Sequence, residues 1–330
     1  MELYWNFNKN IFHLSNNLHS LTFASNFNRK LKNLPDNLQK LTFVSDSRFN
    51  QKLENLPKCL QSLTLGCNFN QKLENLPDSL QSLALGHSFN QKLENLPDSL
   101  QSLALGHSFN QKLENLPKGL QSLALGHCFN QKLENLPKGL QSLTLGHCFN
   151  QKLENLPSHL QSLTLIGVSK IKLINLPPHL QSLTLGNDFN QKLDDLKTYL
   201  PNLKNLTLGN GFNQKLEDLP INLRELNFGH FFNQKLENLP NSLRKITLGS
   251  YFNQKLDICV ALPYLQKLCI DGATHKLVIP PLFDTKIVTK RYSFTASYRL
   301  QHETTVNINN TYKNYNVAEW KNVFSDVIGF

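Results

Sequence analysis

Large apolar residues recur along most of the chain at fixed places in a unit that is usually 20 residues long. In one such unit the apolar positions are Phe109, Leu113, Leu116, Leu120, Leu123 and Leu125. One residue separates the last two, which predicts a short strand because alternate side chains of a strand share a face. Leu123 and Leu125 are then expected to face a core, and Ser122 and Ala124 to face outward.

The Phe-Asn pair that opens the unit recurs at Phe27, Phe49, Phe69, Phe89, Phe109, Phe129, Phe149, Phe189, Phe212, Phe232 and Phe252. Weaker copies begin at Phe7 and Ser169, so about thirteen repeats occupy residues 1–272. One 20-residue unit cannot bury six large side chains alone, whereas stacked repeats share a continuous core. The chain is therefore predicted to be a repeat solenoid. Its parallel β-sheet would have one strand per repeat, with short turns or 3₁₀ segments opposite.

The composition changes after the last leucine-rich strand, and residues 273–330 are predicted to form a small α+β cap on the solenoid. Polar and apolar residues alternate over 292–298, which predicts a strand, and Val306 and Ile308 belong to a second candidate strand. Asn316 precedes an apolar series at helical spacing that includes Trp320 and Phe324, which predicts a terminal helix. A recruitment module that binds a partner through Trp320 and Phe324 is the alternative.

The pattern L-P-x-x-L-x-x-L-x-L resembles the leucine-rich repeat, most closely over residues 200–210. The whole unit is more similar to the FNIP-repeat family, a leucine-rich-repeat-like family named for a Phe-Asn-x-Pro motif. Lys follows Phe-Asn-Gln here where that family usually has Pro, so a second short strand over Asn-Gln-Lys-Leu is expected. FNIP proteins are known chiefly from amoebae and large viruses that infect them. Some carry an F-box, a helical module that recruits ubiquitin-ligase machinery.

The net charge of +10 raises the question of a nucleic-acid partner. One Lys per repeat would form a column along the stack, at Lys72, Lys92, Lys112, Lys132 and Lys152. A Glu stands two residues after each of these and shares their face, so the columns largely neutralise each other. Lys30 and Lys172 lack that acidic companion. We therefore expect no nucleic-acid binding.

Several features of the sequence point to the cytoplasm, or to the host cytoplasm if the source is a virus. The first residues lack the apolar stretch of a signal peptide. The longest apolar runs fall short of a membrane span, so no membrane association is expected. Six Cys without a C-x-x-C pair suit a reducing compartment.

Other identical side chains are also expected to stack in columns, because parallel strands lie about 4.8 Å apart. Asn residues would hydrogen-bond along the stack or hold turns, and the Phe residues would form an aromatic spine. A His column at His87, His107, His127 and His147 offers ligands for a transition metal, or groups that repel when protonated near pH 6. The additional ligands of a metal site are not visible, so no metal is predicted.

The sequence carries no catalytic motif, and its polar residues come as repeated columns where an active site needs one unique cluster. No enzyme activity, cofactor or small-molecule substrate is predicted, and the leading function is a protein-interaction scaffold. The strand face carries small, nearly uniform residues, which make poor interface anchors. The more individual candidates for protein binding are Arg224, Phe231, Phe232, Tyr251, Trp320 and Phe324. A ubiquitin-ligase substrate receptor and a lattice-matching surface are the alternatives.

Overall fold

A computed structural model describes residues 2–3, 8, 14–167, 171–254, 262–271, 286–295 and 298–307. The chain divides into two compact parts. The N-terminal body comprises Met1–Phe189 and Tyr199–Leu203, and the C-terminal body comprises Asn190–Thr198 and Lys204–Phe330. Phe7, which opens the predicted first repeat, and the predicted terminal helix with Trp320 and Phe324 lie outside the described residues, whereas residues 14–26 of that repeat are described.

One short strand per repeat forms the sheet of the N-terminal body, as the apolar pattern predicts. The strands are β1 Glu2–Leu3, β2 Ser20–Phe23, β3 Lys40–Phe43, β4 Ser62–Thr64, β5 Ser82–Ala84, β6 Ser102–Ala104, β7 Ser122–Ala124, β8 Ser142–Leu145, β9 Ser162–Leu165 and β10 Ser182–Leu185. Each pairs in parallel with the next in the same register, so that Leu123 lies opposite Leu143. Identical repeats therefore place identical side chains side by side.

The sheet of the C-terminal body continues the same construction. Its strands are β11 Asn205–Leu208, β12 Glu225–Asn227, β13 Lys245–Leu248, β14 Lys267–Asp271, β15 Lys286–Thr295 and β16 Tyr298–Asn307. Strands β11 to β15 are parallel, whereas β16 pairs antiparallel with β15. The strand predicted over 292–298 has wrong bounds, because that stretch includes the end of β15 and the start of β16. Val306, predicted in a second strand, lies in β16.

The described helix content is a single turn, α1 Leu196–Tyr199. Turns and irregular backbone occupy the arc opposite each strand. In a typical arc the backbone N–H of Leu120 donates to the carbonyl of Pro117 at 3.1 Å, which closes a tight turn. The expected 3₁₀ segments do not occur within the described residues.

The core consists of columns of one residue type. The Phe rings of successive repeats are fully buried and lie nearly parallel, with centroids 6.1 Å apart between Phe89 and Phe109 and between Phe109 and Phe129. Phe212, Phe232 and Phe252 repeat this arrangement in the C-terminal body. The predicted aromatic spine is confirmed in both bodies.

Glycine at the end of the strand allows neighbouring repeats to approach each other. A Cβ atom on Gly126 would lie 1.9 Å from the carbonyl oxygen of Gly106, far inside van der Waals contact. Gly86, Gly106 and Gly146 face the preceding repeat at similar distances. The small residue is therefore required by the spacing between repeats.

Candidate protein-binding surface

The Asn of the Phe-Asn pair ties one repeat to the next in most of the described repeats. The side-chain oxygen Oδ1 of Asn110 accepts the backbone N–H of Asn130 at 2.9 Å and Nε2 of Gln131 at 3.2 Å. The same pair of bonds recurs from Asn28 to Asn130 in the N-terminal body and at Asn190, Asn213 and Asn233 in the C-terminal body. The expected hydrogen-bonded Asn column is confirmed.

This ladder explains why the expected second strand is wrong. Residues 110–113 and their equivalents in the described repeats are not in strands. A strand ladder needs backbone N–H groups that donate to backbone carbonyls of the neighbouring chain. Here the N–H of Asn130 donates to a side-chain oxygen, which competes with sheet pairing.

A second Asn column has a conformational role. Asn95, Asn115 and Asn135 have φ angles of 57°, 56° and 60°, in the left-handed region. Asn and Asp tolerate that region better than other residues with a Cβ atom. Asp195 and Asp218 take the same place in their repeats, with φ angles of 59° and 54°. The amino acid at this position is therefore set by the turn.

The paired Lys and Glu columns meet as predicted at two repeats. Lys152 Nζ lies 3.2 Å from Glu154 Oε1, and Lys132 Nζ lies 4.0 Å from Glu134 Oε1. Lys30, expected to lack an acidic companion, lies 3.9 Å from Glu54 of the next repeat. That expectation is wrong because a neighbouring repeat supplies the carboxylate.

The His column forms a stack on the exposed side of the N-terminal body. The ring centroids of His87 and His107 are 4.3 Å apart and those of His107 and His127 are 4.4 Å apart, with nearly parallel rings. Water is displaced from the ring of His107 by its neighbours, which lowers its pKa below 6.5, and the charges of His87 and His127 lower it further. His147 turns edge-on to His127 and lies 3.5 Å from Asp188.

Metal ligation by this column has no geometric support within the described residues. They contain no group of three or more His, Cys, Asp or Glu side chains arranged to hold a metal ion. Parallel rings direct their nitrogen lone pairs side by side, whereas a metal needs lone pairs that converge on one point.

The C-terminal body departs from these uniform columns at the residue before β11, β12 and β13, whereas Gln266 before β14 keeps the residue type of the N-terminal body. In the N-terminal body that residue is Gln in successive repeats, at Gln39, Gln61, Gln81, Gln101, Gln121, Gln141, Gln161 and Gln181. In the C-terminal body it is Lys204 before β11, Arg224 before β12 and Arg244 before β13. Arg224 and Arg244 are exposed, and no carboxylate in the described part of the chain pairs with either. Arg224 and Arg244 therefore place positive charge without a carboxylate partner, among the described residues, just before β12 and β13.

The strand face beside these basic residues is itself hydrogen-bonded. Lys245 Nζ lies 3.3 Å from Glu225 Oε2, so these two charges balance across β12 and β13. Thr247 Oγ1 donates to Asn227 Oδ1 at 2.8 Å, and Asn227 Nδ2 donates to Thr207 Oγ1 at 3.3 Å. Polar side chains therefore line the middle of this face in a fixed arrangement.

An exposed aromatic pair lies beyond the other end of these strands. Phe231 follows β12 and Tyr251 follows β13, with 52% and 60% of their surfaces exposed. Their ring centroids are 5.2 Å apart. Ser88 and Ser108 hold the equivalent position in the N-terminal body. Two large rings thus replace two small polar residues on the surface.

Phe232 is not part of that surface, although the sequence suggests it as a binding residue. It is fully buried, and its ring contacts Phe212, Phe228 and Phe252. It is the Phe of the Phe-Asn pair and belongs to the aromatic spine. The structure therefore retains Arg224, Phe231 and Tyr251 among the candidates that it describes.

Comparison with known families accounts for the repeat. The FNIP repeat matches residues 49–88, 89–128, 129–167, 169–211 and 232–263, which together make up more than half of the chain. This chain belongs to the FNIP repeat family. The matched segments leave out residues 212–231, which include Arg224 and Phe231. The candidate surface thus begins where the match to the FNIP repeat is interrupted.

The solved structures that resemble these FNIP repeats are leucine-rich-repeat proteins. CroV588, described as a novel circular LRR protein structure, is 36% identical with a TM-score of 0.64, over 86% of this chain and 48% of its own. YopM from Yersinia enterocolitica WA-314 is 23% identical over 82% of this chain and 72% of its own, with a TM-score of 0.34. This chain thus spans about half the length of CroV588. No curated protein sequence matches it.

Arg244 was missed by the sequence analysis, although a signal for it exists. It occupies the same repeat position as Arg224, one repeat later, where FNIP repeats of the N-terminal body carry Gln. Alignment of the repeats on their Phe-Asn pairs reveals both substitutions together. As for membrane association, no helix among the described residues has the length and apolar character to cross a bilayer.

Proposed function

We propose that this protein is a non-catalytic scaffold that binds another protein through the C-terminal body. The binding surface, which we call the Arg–aromatic face, consists of Arg224, Arg244, Phe231, Tyr251 and the intervening face of β12 and β13. The observation that carries the proposal is the exposed pair of aromatic rings at 5.2 Å, because aromatic and Arg side chains are the usual anchors of protein interfaces.

The contrast with the N-terminal body supports this choice of surface. There, Lys132 and Lys152 each lie within 4.0 Å of a Glu of the same repeat. Such groups already have partners within the protein. Arg224 and Arg244 have no carboxylate partner among the described residues, so an interface partner is free to provide one.

Site-specific cross-linking tests the proposal on the full chain. A photoreactive phenylalanine analogue at position 231 should cross-link to a protein in an extract of the source cells. The same analogue at position 88, the equivalent place in the N-terminal body, serves as the control. Protein adducts from position 231 alone support the Arg–aromatic face, whereas equal adducts from both positions contradict it.

Two expectations from the sequence remain predictions. A role as a ubiquitin-ligase substrate receptor would require a recruiting helix near Trp320 and Phe324, which lie outside the described residues. The cytoplasmic location is consistent with the free thiols of Cys59, Cys67, Cys128, Cys148 and Cys269, and stays a prediction.

A further inference from the structure

The Arg–aromatic face carries an excess of positive charge. On or just before β12 and β13 stand Arg224, Arg244 and Lys245, against one acidic residue, Glu225. Glu225 is engaged by Lys245. In-register pairing places Arg224 and Arg244 before adjacent strands, where the like charges repel in the absence of a partner. An anionic group between the two guanidinium groups would relieve that repulsion.

The two ends of the strands differ in chemistry. The basic pair precedes β12 and β13, and the aromatic pair follows them. A strand of three residues, such as β12, spans about 10 Å. An extended peptide laid along this face would therefore reach from the guanidinium groups to the rings over about three to five residues. Asn227 and Thr247 bond each other in the middle of the face, and the second N–H of Asn227 Nδ2 and the lone pairs of Thr247 Oγ1 can still bond a peptide backbone.

The proposed function names a partner protein, and these observations indicate the chemistry of the segment that binds. The inference rests on that proposed function. We infer that the Arg–aromatic face binds an extended acidic segment of a partner protein. Its carboxylate pairs with Arg224 and Arg244, and a bulky apolar side chain about three to five positions away packs on Phe231 and Tyr251. Arg is suited to the first contact because its planar guanidinium group matches a carboxylate with two hydrogen bonds.

A single-stranded nucleic acid fits the same face less well. A phosphate chain carries a negative charge at every nucleotide, and the carboxylate of Glu225 lies on the face that it would cross. Successive bases stack on separate aromatic side chains. Phe231 and Tyr251 instead contact each other, with their ring planes tilted by 53°. They form a single apolar surface and not two separate stacking platforms.

Fluorescence anisotropy with the full chain tests the inference directly. The probe is a labelled ten-residue peptide with two Glu residues four positions from a Leu-Phe pair, made in both sequence orders. Versions with Gln or Lys in place of Glu, and a ten-nucleotide oligouridine, complete the set. We expect the Glu peptide in one order to bind, to lose most of its affinity between 50 and 200 mM salt as screening increases, and to outcompete the others by about tenfold.

The repeats themselves supply variants that preserve the fold. Arg224→Gln with Arg244→Gln introduces the residue that the N-terminal body carries at that position, and should weaken peptide binding by about tenfold or more. Phe231→Ser with Tyr251→Ser introduces the equivalent of Ser88 and should also weaken binding. Lys132→Gln with Lys152→Gln removes the same net charge from the paired columns and should change affinity by less than about twofold.

Each outcome tests the inference or the proposed function on which it rests. Equal weakening by the Lys132 and Lys152 changes overturns the inference, because binding would then follow net charge alone. Tighter binding of oligouridine than of the Glu peptide overturns it in favour of a phosphate chain. If no acidic peptide binds but position 231 still cross-links to a protein, the inference fails and the proposed function stands. If neither occurs, both fail.

Discussion

At the scale of single residues, the same amino acid performs two tasks in each repeat. Asn110 accepts a backbone N–H and a Gln side chain of the next repeat, whereas Asn115 adopts a left-handed backbone. The first task depends on a carboxamide oxygen and the second on a side chain that tolerates positive φ. The sequence indicates the hydrogen-bonding role of Asn110. It does not distinguish, for Asn115, a hydrogen-bonding role from a left-handed backbone conformation.

Replacement of one ladder residue should destabilise the N-terminal body. In Asn110→Ala the backbone N–H of Asn130, part-buried, loses its acceptor, which costs about 1–2 kcal/mol in the free energy of unfolding. Urea denaturation followed by circular dichroism measures it. Gln111→Ala is the matched control, since it removes only a side-chain donor that water can replace. An equal loss in both variants would contradict the ladder's role.

The His stack predicts a pH effect whose direction is fixed. The pKa of His107 lies below 6.5, so the unfolded chain binds a proton more readily than the folded chain does. The stability associated with the neutral ring is complete above pH 6.5 and is lost as pH falls through the lower, folded-state pKa.

Replacement of the two His residues that stack on His107 should therefore raise the pKa of His107. In His87→Asn with His127→Asn, both covering rings and both neighbouring charges disappear. Asn187 occupies the equivalent position in its own repeat, so the substitution suits the fold. Proton NMR of the imidazole should show the titration of His107 move toward 6.5. His159→Asn, in a separate turn, should leave it unmoved. An unchanged value in the double variant would refute the neighbouring rings as the cause of the lowered pKa.

At the scale of the repeat, the strand was predictable and the arc opposite it was not. The L-x-L pattern specifies β7, because alternate burial of Leu123 and Leu125 has a single structural solution. The Asn-Gln-Lys-Leu segment has two ways to satisfy its N–H groups, and the side-chain ladder is used in place of a strand. Strand propensity alone does not decide between backbone pairing and donation to the Asn side chain.

The close approach of repeats at the strand end gives a sharp contrast between two glycines. Gly126→Ala would place a methyl group against the backbone of Gly106 and should cost about 3 kcal/mol or more. Gly139→Ala meets its nearest atom at 3.8 Å, with ordinary backbone angles, and should be neutral or slightly stabilising. Thermal unfolding of the two variants measures the difference. Similar melting temperatures would mean that the repeats separate without cost.

At the scale of the molecule, the candidate binding residues lie where the repeat changes. Arg224, Phe231 and Tyr251 differ from their counterparts in the other body, which is a signal that the sequence contains. Phe232 was wrongly included among the candidates because it follows Phe231 directly. Its place as the Phe of the Phe-Asn pair assigns it to the core. The division into two bodies was not predicted, although the repeat that opens at Phe189 has 23 residues where 20 are usual, and the boundaries of both bodies fall within it.

Removal of one whole repeat should leave the fold intact. Residues 69–88 and 89–108 are identical in sequence, so deletion of 89–108 lets Asn70 meet Asn110 as it now meets Asn90. The circular dichroism per residue should be unchanged, and the urea m-value should fall with the smaller buried area. Deletion of residues 89–98 alone breaks the register and should unfold the neighbouring repeats. If both deletions behave alike, stacking in register is not what holds the body together.

The ladder of Asn110 and its equivalents has an evolutionary consequence. Each rung joins a residue to its copy one repeat later, so repeats such as 69–88, 89–108 and 109–128 offer the same donors and acceptors to both neighbours. Recombination between near-identical stretches of the gene can then add or remove a repeat without creating a mismatched junction. Copy number becomes a freely varying trait under weak selection, and related genes are expected to differ in length by whole multiples of about twenty codons.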